Sequence, residues 1–148
     1  MKRLAVLALI MGLAACEQPS LPLADGGSVQ LDDWSGRWIV VNYWAEWCAP
    51  CRDEIPELNE LHHDGVDSGV VVVGVNYDRL ALAPLQEVSE RMGIAFPVLV
   101  NDPREIWGYE LPQVLPTTVI IAPDGTVHRE LVGPQTLETI SASLPGDG

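Results

Sequence analysis

A chain of 148 residues suffices for one domain with a proper core and hardly for two. With 47% apolar residues it is a globular chain, not a disordered one. Its net charge of -13 argues against nucleic acid and anionic lipid headgroups as partners held by charge.

The chain opens on Lys2 and Arg3, followed by a 12-residue apolar run from Leu4 to Ala15. That run is too short to span a bilayer as a mature helix and suits the core of a signal peptide. Residues 1–15 therefore read as a signal peptide, with a transmembrane anchor as the alternative. The ending LAAC resembles the bacterial lipoprotein processing box. That resemblance implies cleavage before Cys16 and a lipid on its sulfur, making Cys16 the membrane anchor. The alternative is an ordinary secretory signal with an incidental cysteine. Loss of Lys2 and Arg3 leaves six basic residues, all Arg, against 21 acidic ones. Residues 16–27 read as a Pro/Gly/Ser-containing tether without periodicity, and residues 28–144 as the folded domain.

Arg37 to Trp44 (RWIVVNYW) is β-branched and aromatic, the pattern of a buried strand. APCRDEIPELNELHHDG follows, with Ile55, Leu58 and Leu61 three residues apart. It predicts a helix of about four turns, stopped at Gly65 and kinked at Pro56. Gly69 to Asn76 (GVVVVGVN) reads as a central parallel strand. Leu80 to Gly93 reads as a helix, FPVLVN as a short strand, and DPREIWGYEL as a short helix with Asp102 as its N-cap. PTTVIIA, the turn PDG and TVHRELVG form a β-hairpin, and PQTLETISASL a closing amphipathic helix. The order β-α-β-α-β-α-β-β-α predicts an α/β fold, a mixed central sheet flanked by helices.

Cys48 and Cys51 stand between the first long strand and its helix, the context in which C-x-x-C is redox-active. Cys48 would lie at the helix N-terminus, where free N–H groups and the helix dipole stabilise a thiolate. Cys51, one turn on, can resolve a mixed disulfide, and Trp47 gives an apolar lip beside the nucleophile. Structural zinc would need four ligands, and the adjacent His62 and His63 point about 100° apart on one helix. A purely structural staple would close too short a loop to stabilise much. His128 and Met92 read as ordinary strand and helix residues. A peroxidase of similar fold would carry its reactive cysteine in another motif.

The stretches VVNYWAEWCAPCRDEIPEL and FPVLVNDPREIWGYELPQVLPTTVIIAPDGTV together resemble the thioredoxin superfamily, specifically the membrane-tethered, extracytoplasmic TlpA/ResA-like reductases. The resemblance covers roughly residues 25–144. It implies a thioredoxin-like fold in which Leu80 to Val100 is an extra helix-strand insertion. It implies that Pro116, in LPTT, is a cis-proline facing the cysteines, with the substrate backbone lying against Pro116 and Thr117; the plainer alternative is a proline that merely starts a strand, where its missing N–H costs nothing. Cytoplasmic thioredoxins carry a buried Asp six residues before the first cysteine. Here that place is Asn42, which cannot accept a proton. The reductase group instead has a Glu three residues after the second cysteine, matched by Glu54. Glu54 is then the group that takes or relays the proton of Cys51, its pKa raised by burial. A surface Glu in a first helical turn is the plainer alternative.

The function expected is thiol–disulfide exchange on the periplasmic side of a bacterial membrane, most simply as a lipid-anchored, monomeric protein-disulfide reductase. Cys48, Cys51 and Glu54 are the catalytic candidates, and Trp47, Pro116 and Thr117 the substrate-binding ones. The partners expected are a disulfide-containing protein as substrate and a membrane thiol reductant as electron donor. Neither a cofactor nor a metal is expected. A dithiol oxidase, and a non-enzymatic tethered adaptor or metallochaperone, are the alternatives.

Overall fold

The computed structural model describes residues 19–144. The signal segment 1–15, Cys16 and the start of the tether lie outside the described residues. A five-stranded sheet forms the centre, in the order β5-β4-β3-β6-β7. The strands are β3 (Trp38–Trp44), β4 (Val70–Asn76), β5 (Val98–Leu99), β6 (Thr117–Ile121) and β7 (Val127–Val132). β3 pairs parallel with β4, which pairs parallel with β5; β6 and β7 run antiparallel. The mixed sheet is the one expected. Continuous Val and Ile runs occupy its centre because β3 and β4 are covered on both faces.

Alternation along β3 divides its side chains. Ile39, Val41 and Tyr43 join Val71, Val73, Val119 and Ile121 on one face. Val40 and Trp44 point to the other, where α1 (Ala49–Ser68), α2 (Leu82–Arg91) and α4 (Leu137–Ser141) pack through Leu58, Leu61, Leu85, Val88 and Ile140. Short α3 (Arg104–Trp107) lies on the first face, with Trp107 against its core. Its N-cap is Pro103 rather than Asp102, but Asp102 Oδ1 accepts the Arg104 N–H at 3.0 Å and so still serves the first turn.

Two further features depart from the sequence expectation. Residues 20–27, expected within the tether, are no free tether. β1 (Ser20–Pro22) and β2 (Ser28–Gln30) form a hairpin, Leu21 enters the core, and Ala24 N–H donates to Val98 O at 2.8 Å. This segment covers the outer edge of β5, which would otherwise present unpaired backbone to solvent. A chain so rich in Pro and Gly gives no periodic signal, although Leu21 is buried and the alternate Leu23 packs partly buried against the same core. Second, α1 passes Gly65 and ends at Gly69, whose φ of 75° is the left-handed cap. Gly65 is required for contact instead: a Cβ there would meet Val70 O at 2.7 Å, where the helix crosses the start of β4. The helix also runs unbroken through Pro56.

Candidate active site

The C-terminal ends of β3 and β4 and the N-terminus of α1 meet at one end of the sheet. β3 delivers Trp44 and Ala45, and the chain turns so that Cys48 N–H donates to Ala45 O at 3.2 Å. Cys48 is the N-cap of α1, with an extended backbone, and Pro50 sits in the first turn where its missing N–H costs nothing. Cys48 and Cys51 are joined as a disulfide, with Cα atoms 5.3 Å apart. Cys48 Sγ accepts the Cys51 backbone N–H at 3.3 Å. After reduction the same N–H and the helix terminus favour a thiolate on Cys48.

The two sulfurs are not equivalent. Cys48 is 5% exposed and Cys51 fully buried. Both belong to an apolar cluster with Trp44, Leu85 and Val88, on which Leu115 also packs. Trp47 stands out beside them at 65% exposure. Its ring N–H is held by the carboxylate of Asp78, beyond the end of β4, at 3.0 and 3.1 Å. Arg52 and Asp53 face solvent, and the Arg52 guanidinium donates to Glu46 O.

The Leu115–Pro116 peptide bond is cis. Pro116 O accepts from Gly133 N–H at 2.9 Å, and Thr117 Oγ1 donates to Val114 O at 2.9 Å. These bonds tie the loop to the residue after β7 and to the start of β6, and Leu115 carries it onto the cysteine cluster.

Glu54 is 1% exposed, so the surface alternative for it does not hold. One turn beyond Cys51, it turns inward to the sheet. Its Oε1 accepts from Asn42 Nδ2 at 2.7 Å and its Oε2 from the Gln135 N–H at 2.9 Å. Burial raises its pKa to about 7, against the lowering effect of those two hydrogen bonds. Asn42 Nδ2 also donates to Thr118 Oγ1 at 3.1 Å. Sequence reasoning missed Gln135, Thr118, Leu115 and Asp78, and read Asn42 only as a group without a proton to accept. A lone Asn inside a β-branched run was the one available signal. Among the described residues no group of three His, Cys, Asp or Glu side chains comes together as metal ligands, and no helix is long and apolar enough to cross a membrane.

A buried cysteine pair capping a helix, with a cis-proline loop packed on it through Leu115 and a mixed sheet of this order, defines a thioredoxin-like protein. The chain belongs to the AhpC/TSA family, which it matches over residues 14–130. It is 32% identical over 130 residues to the thiol-disulfide oxidoreductase ResA of Bacillus thuringiensis, covering 86% of this chain and 75% of that one. To ResA of Geobacillus kaustophilus it is 31% identical over 128 residues, covering 85% and 73%. Among solved structures, the thioredoxin-family thiol:disulfide interchange protein of Chlorobium tepidum superposes with a TM-score of 0.71 at 27% identity, over 85% of this chain and 91% of that one.

Proposed function

We propose that this protein reduces disulfides of partner proteins outside the cytoplasm through the Cys48/Cys51 dithiol. The observation that carries the reading is the helix-capping disulfide, with Cys48 5% exposed, Cys51 wholly enclosed and the buried Glu54 one helical turn further on. The relatives named above, thiol-disulfide oxidoreductases by name, support the same chemistry.

Cys48, as thiolate, attacks one sulfur of the partner's disulfide, and the other partner sulfur leaves as a thiolate. The partner's backbone lies along Pro116 and Thr117, with Trp47 as an apolar wall. Cys51 then gives its proton to Glu54 and attacks Cys48. The bond between Cys48 and the partner breaks, and the second partner sulfur leaves as a thiolate. The Cys48–Cys51 disulfide holds the oxidation state given up by the partner. A membrane thiol reductant returns two electrons for the next cycle. Enclosure of Cys51 supports this order, since a bulky partner reaches Cys48 first.

The anchoring is part of the proposal. Residues 1–15 are a lipoprotein signal, Cys16 is acylated, and the chain from 16 to the β1 strand is the tether, on the periplasmic side of a bacterial membrane. A labelled fatty acid should enter the wild type and not Cys16→Ser.

The direction of exchange is tested by the equilibrium reduction potential of the couple. A value of roughly -230 to -280 mV fits a reductase. A value near about -120 mV would make it an oxidase, and the absence of a reversible couple would leave only an adaptor.

A further inference from the structure

We propose that Asn42 is the positioning residue that carries Glu54 through its change of protonation, its amide turning over so that Nδ2 serves the carboxylate and Oδ1 the carboxylic acid. The proposal rests on the reading of Glu54 as the group that exchanges the proton of Cys51.

The two carboxyl oxygens of Glu54 face different partners. Oε2 faces the backbone N–H of Gln135 at 2.9 Å. A peptide N–H can only donate, so a proton on Oε2 would leave two donors facing each other. The proton therefore belongs on Oε1, which faces Asn42 Nδ2 at 2.7 Å. In that orientation the amide is also a donor, which suits the carboxylate and opposes the acid. Rotation of the amide by half a turn puts Oδ1 against Oε1, where it accepts the new O–H.

Two observations make that rotation available. Asn42 is fully buried, and its Oδ1 has no hydrogen-bond partner among the described residues. The turn breaks no bond made by Oδ1: it trades the two bonds that Nδ2 donates for two that Oδ1 accepts, and the NH2 takes the unpaired place. The amide's other neighbour is a hydroxyl, Thr118 Oγ1 at 3.1 Å, which accepts from Nδ2 and donates equally well to Oδ1. An unpaired buried acceptor is costly in a static site, and it is explained here as the resting half of a two-position amide.

The surroundings leave this task to Asn42. β3 presents Asn42 to the carboxyl, β6 presents Thr118 to Asn42, and the approach to α4 presents the Gln135 N–H. On α1, Asp53 adjoins Glu54 in sequence and faces solvent, Cys51 lies a turn before, and Glu57 lies a turn after with its Oε2 occupied by the Leu137 N–H. No charged side chain from β3, β6 or the approach to α4 is bonded to the carboxyl among the described residues. An Asp at 42 would set two carboxyls in contact, and an apolar residue would satisfy neither form.

The test uses the full chain, oxidised for spectroscopy and reduced for rates, with oxidised glutathione as the disulfide probe. In the wild type, the side-chain amide resonances of Asn42 should titrate with the same midpoint as the Glu54 carboxyl carbon. In Asn42→Leu that carbon's midpoint should rise by on the order of one pH unit, since the carboxylate loses its donor. The pH profile of glutathione reduction should move with it, the rate near neutrality falling up to about tenfold. Amide resonances that stay still through the Glu54 midpoint would overturn the proposal, and that measurement needs no variant to fold. So would a profile that Asn42→Leu leaves in place, while exchange by the dithiol would stand. A Glu54→Gln variant with an unchanged pH profile would instead remove Glu54 from proton transfer, and Asn42 with it.

Discussion

Replacing Glu54 by Gln keeps the shape of the side chain and removes its titration. Its carboxyl sits at about 7 in the fold and near 4.5 when exposed, with burial as the first cause. At roughly 1.4 kcal/mol per pH unit, that displacement corresponds to about 3 kcal/mol. The sign follows from which state holds the proton. Below pH 4.5 the carboxyl is neutral folded and unfolded, and its contribution to stability is full. Between 4.5 and 7 the unfolded chain releases the proton while the fold retains it, and stability falls. Above 7 the fold carries the whole cost of a buried charge. Gln has no such dependence. Its carbonyl can accept the Gln135 N–H and its amide can face Asn42, so the variant should fold. Urea unfolding of the oxidised full chain at intervals from pH 4.5 to 8 measures the difference directly. Glu54→Gln should gain on the wild type by about 3 kcal/mol across that range while its exchange loses its pH dependence. A difference between the two that stays constant within about 0.5 kcal/mol would refute the reasoning, because it would mean the carboxyl titrates alike in both states.

Cys51→Ser should accumulate a partner mixed disulfide on a non-reducing gel and Cys48→Ser should not, since Cys48 is the less enclosed of the two; the reverse result would invert their roles. Gly74→Ala should cost about 1–3 kcal/mol in thermal unfolding, because its Cβ would meet Phe96 Cε2 and Trp44 Nε1 at 2.9 Å in a filled core. Asn59→Ala should cost about 1–2 kcal/mol without altering the redox couple. Asn59 donates to Gly93 O and accepts from Ala95 N–H, both at 2.8 Å, which pins the α2–β5 connection to α1. A wild-type urea midpoint in that variant would show the pin to be idle.

What the sequence made legible is what repeats locally. β3 and β4 announce themselves by unbroken β-branched runs, α1 by its three-residue apolar spacing, and the cysteine pair by its place between them. The misses have a common cause in partners distant along the chain. Gly65 looks like a helix stop until Val70 O is seen 2.7 Å from its absent Cβ. Residues 20–24 look like linker until β5 offers an edge to cover. Gln135 is 81 residues from Glu54 and contributes only its backbone, so no side-chain pattern could mark it. Asn42 was visible as a polar residue in an apolar strand, but its task depends on Thr118, 76 residues away.

Under the proposed function, Glu54 divides its two oxygens between chemistry and architecture. Oε2 holds the approach to α4 through Gln135 N–H, and Glu57 Oε2 holds the same segment through Leu137 N–H at 2.9 Å. Two carboxyls one helical turn apart thus grip two amides of an extended stretch, fixing α4 and its Ile140 against α1. A proton arriving at Oε1 leaves Oε2 an acceptor, so this grip survives every turnover. The rearrangement is confined to one amide and one hydroxyl on the sheet side. A carboxyl with both oxygens on mobile partners would transmit each protonation into the packing of α4. One with both on backbone N–H groups would have its pKa lowered further and would hold the proton too weakly to relay it near neutral pH. One fixed donor and one reversible amide give a carboxyl that can change charge in a closed core while the fold around it stays still.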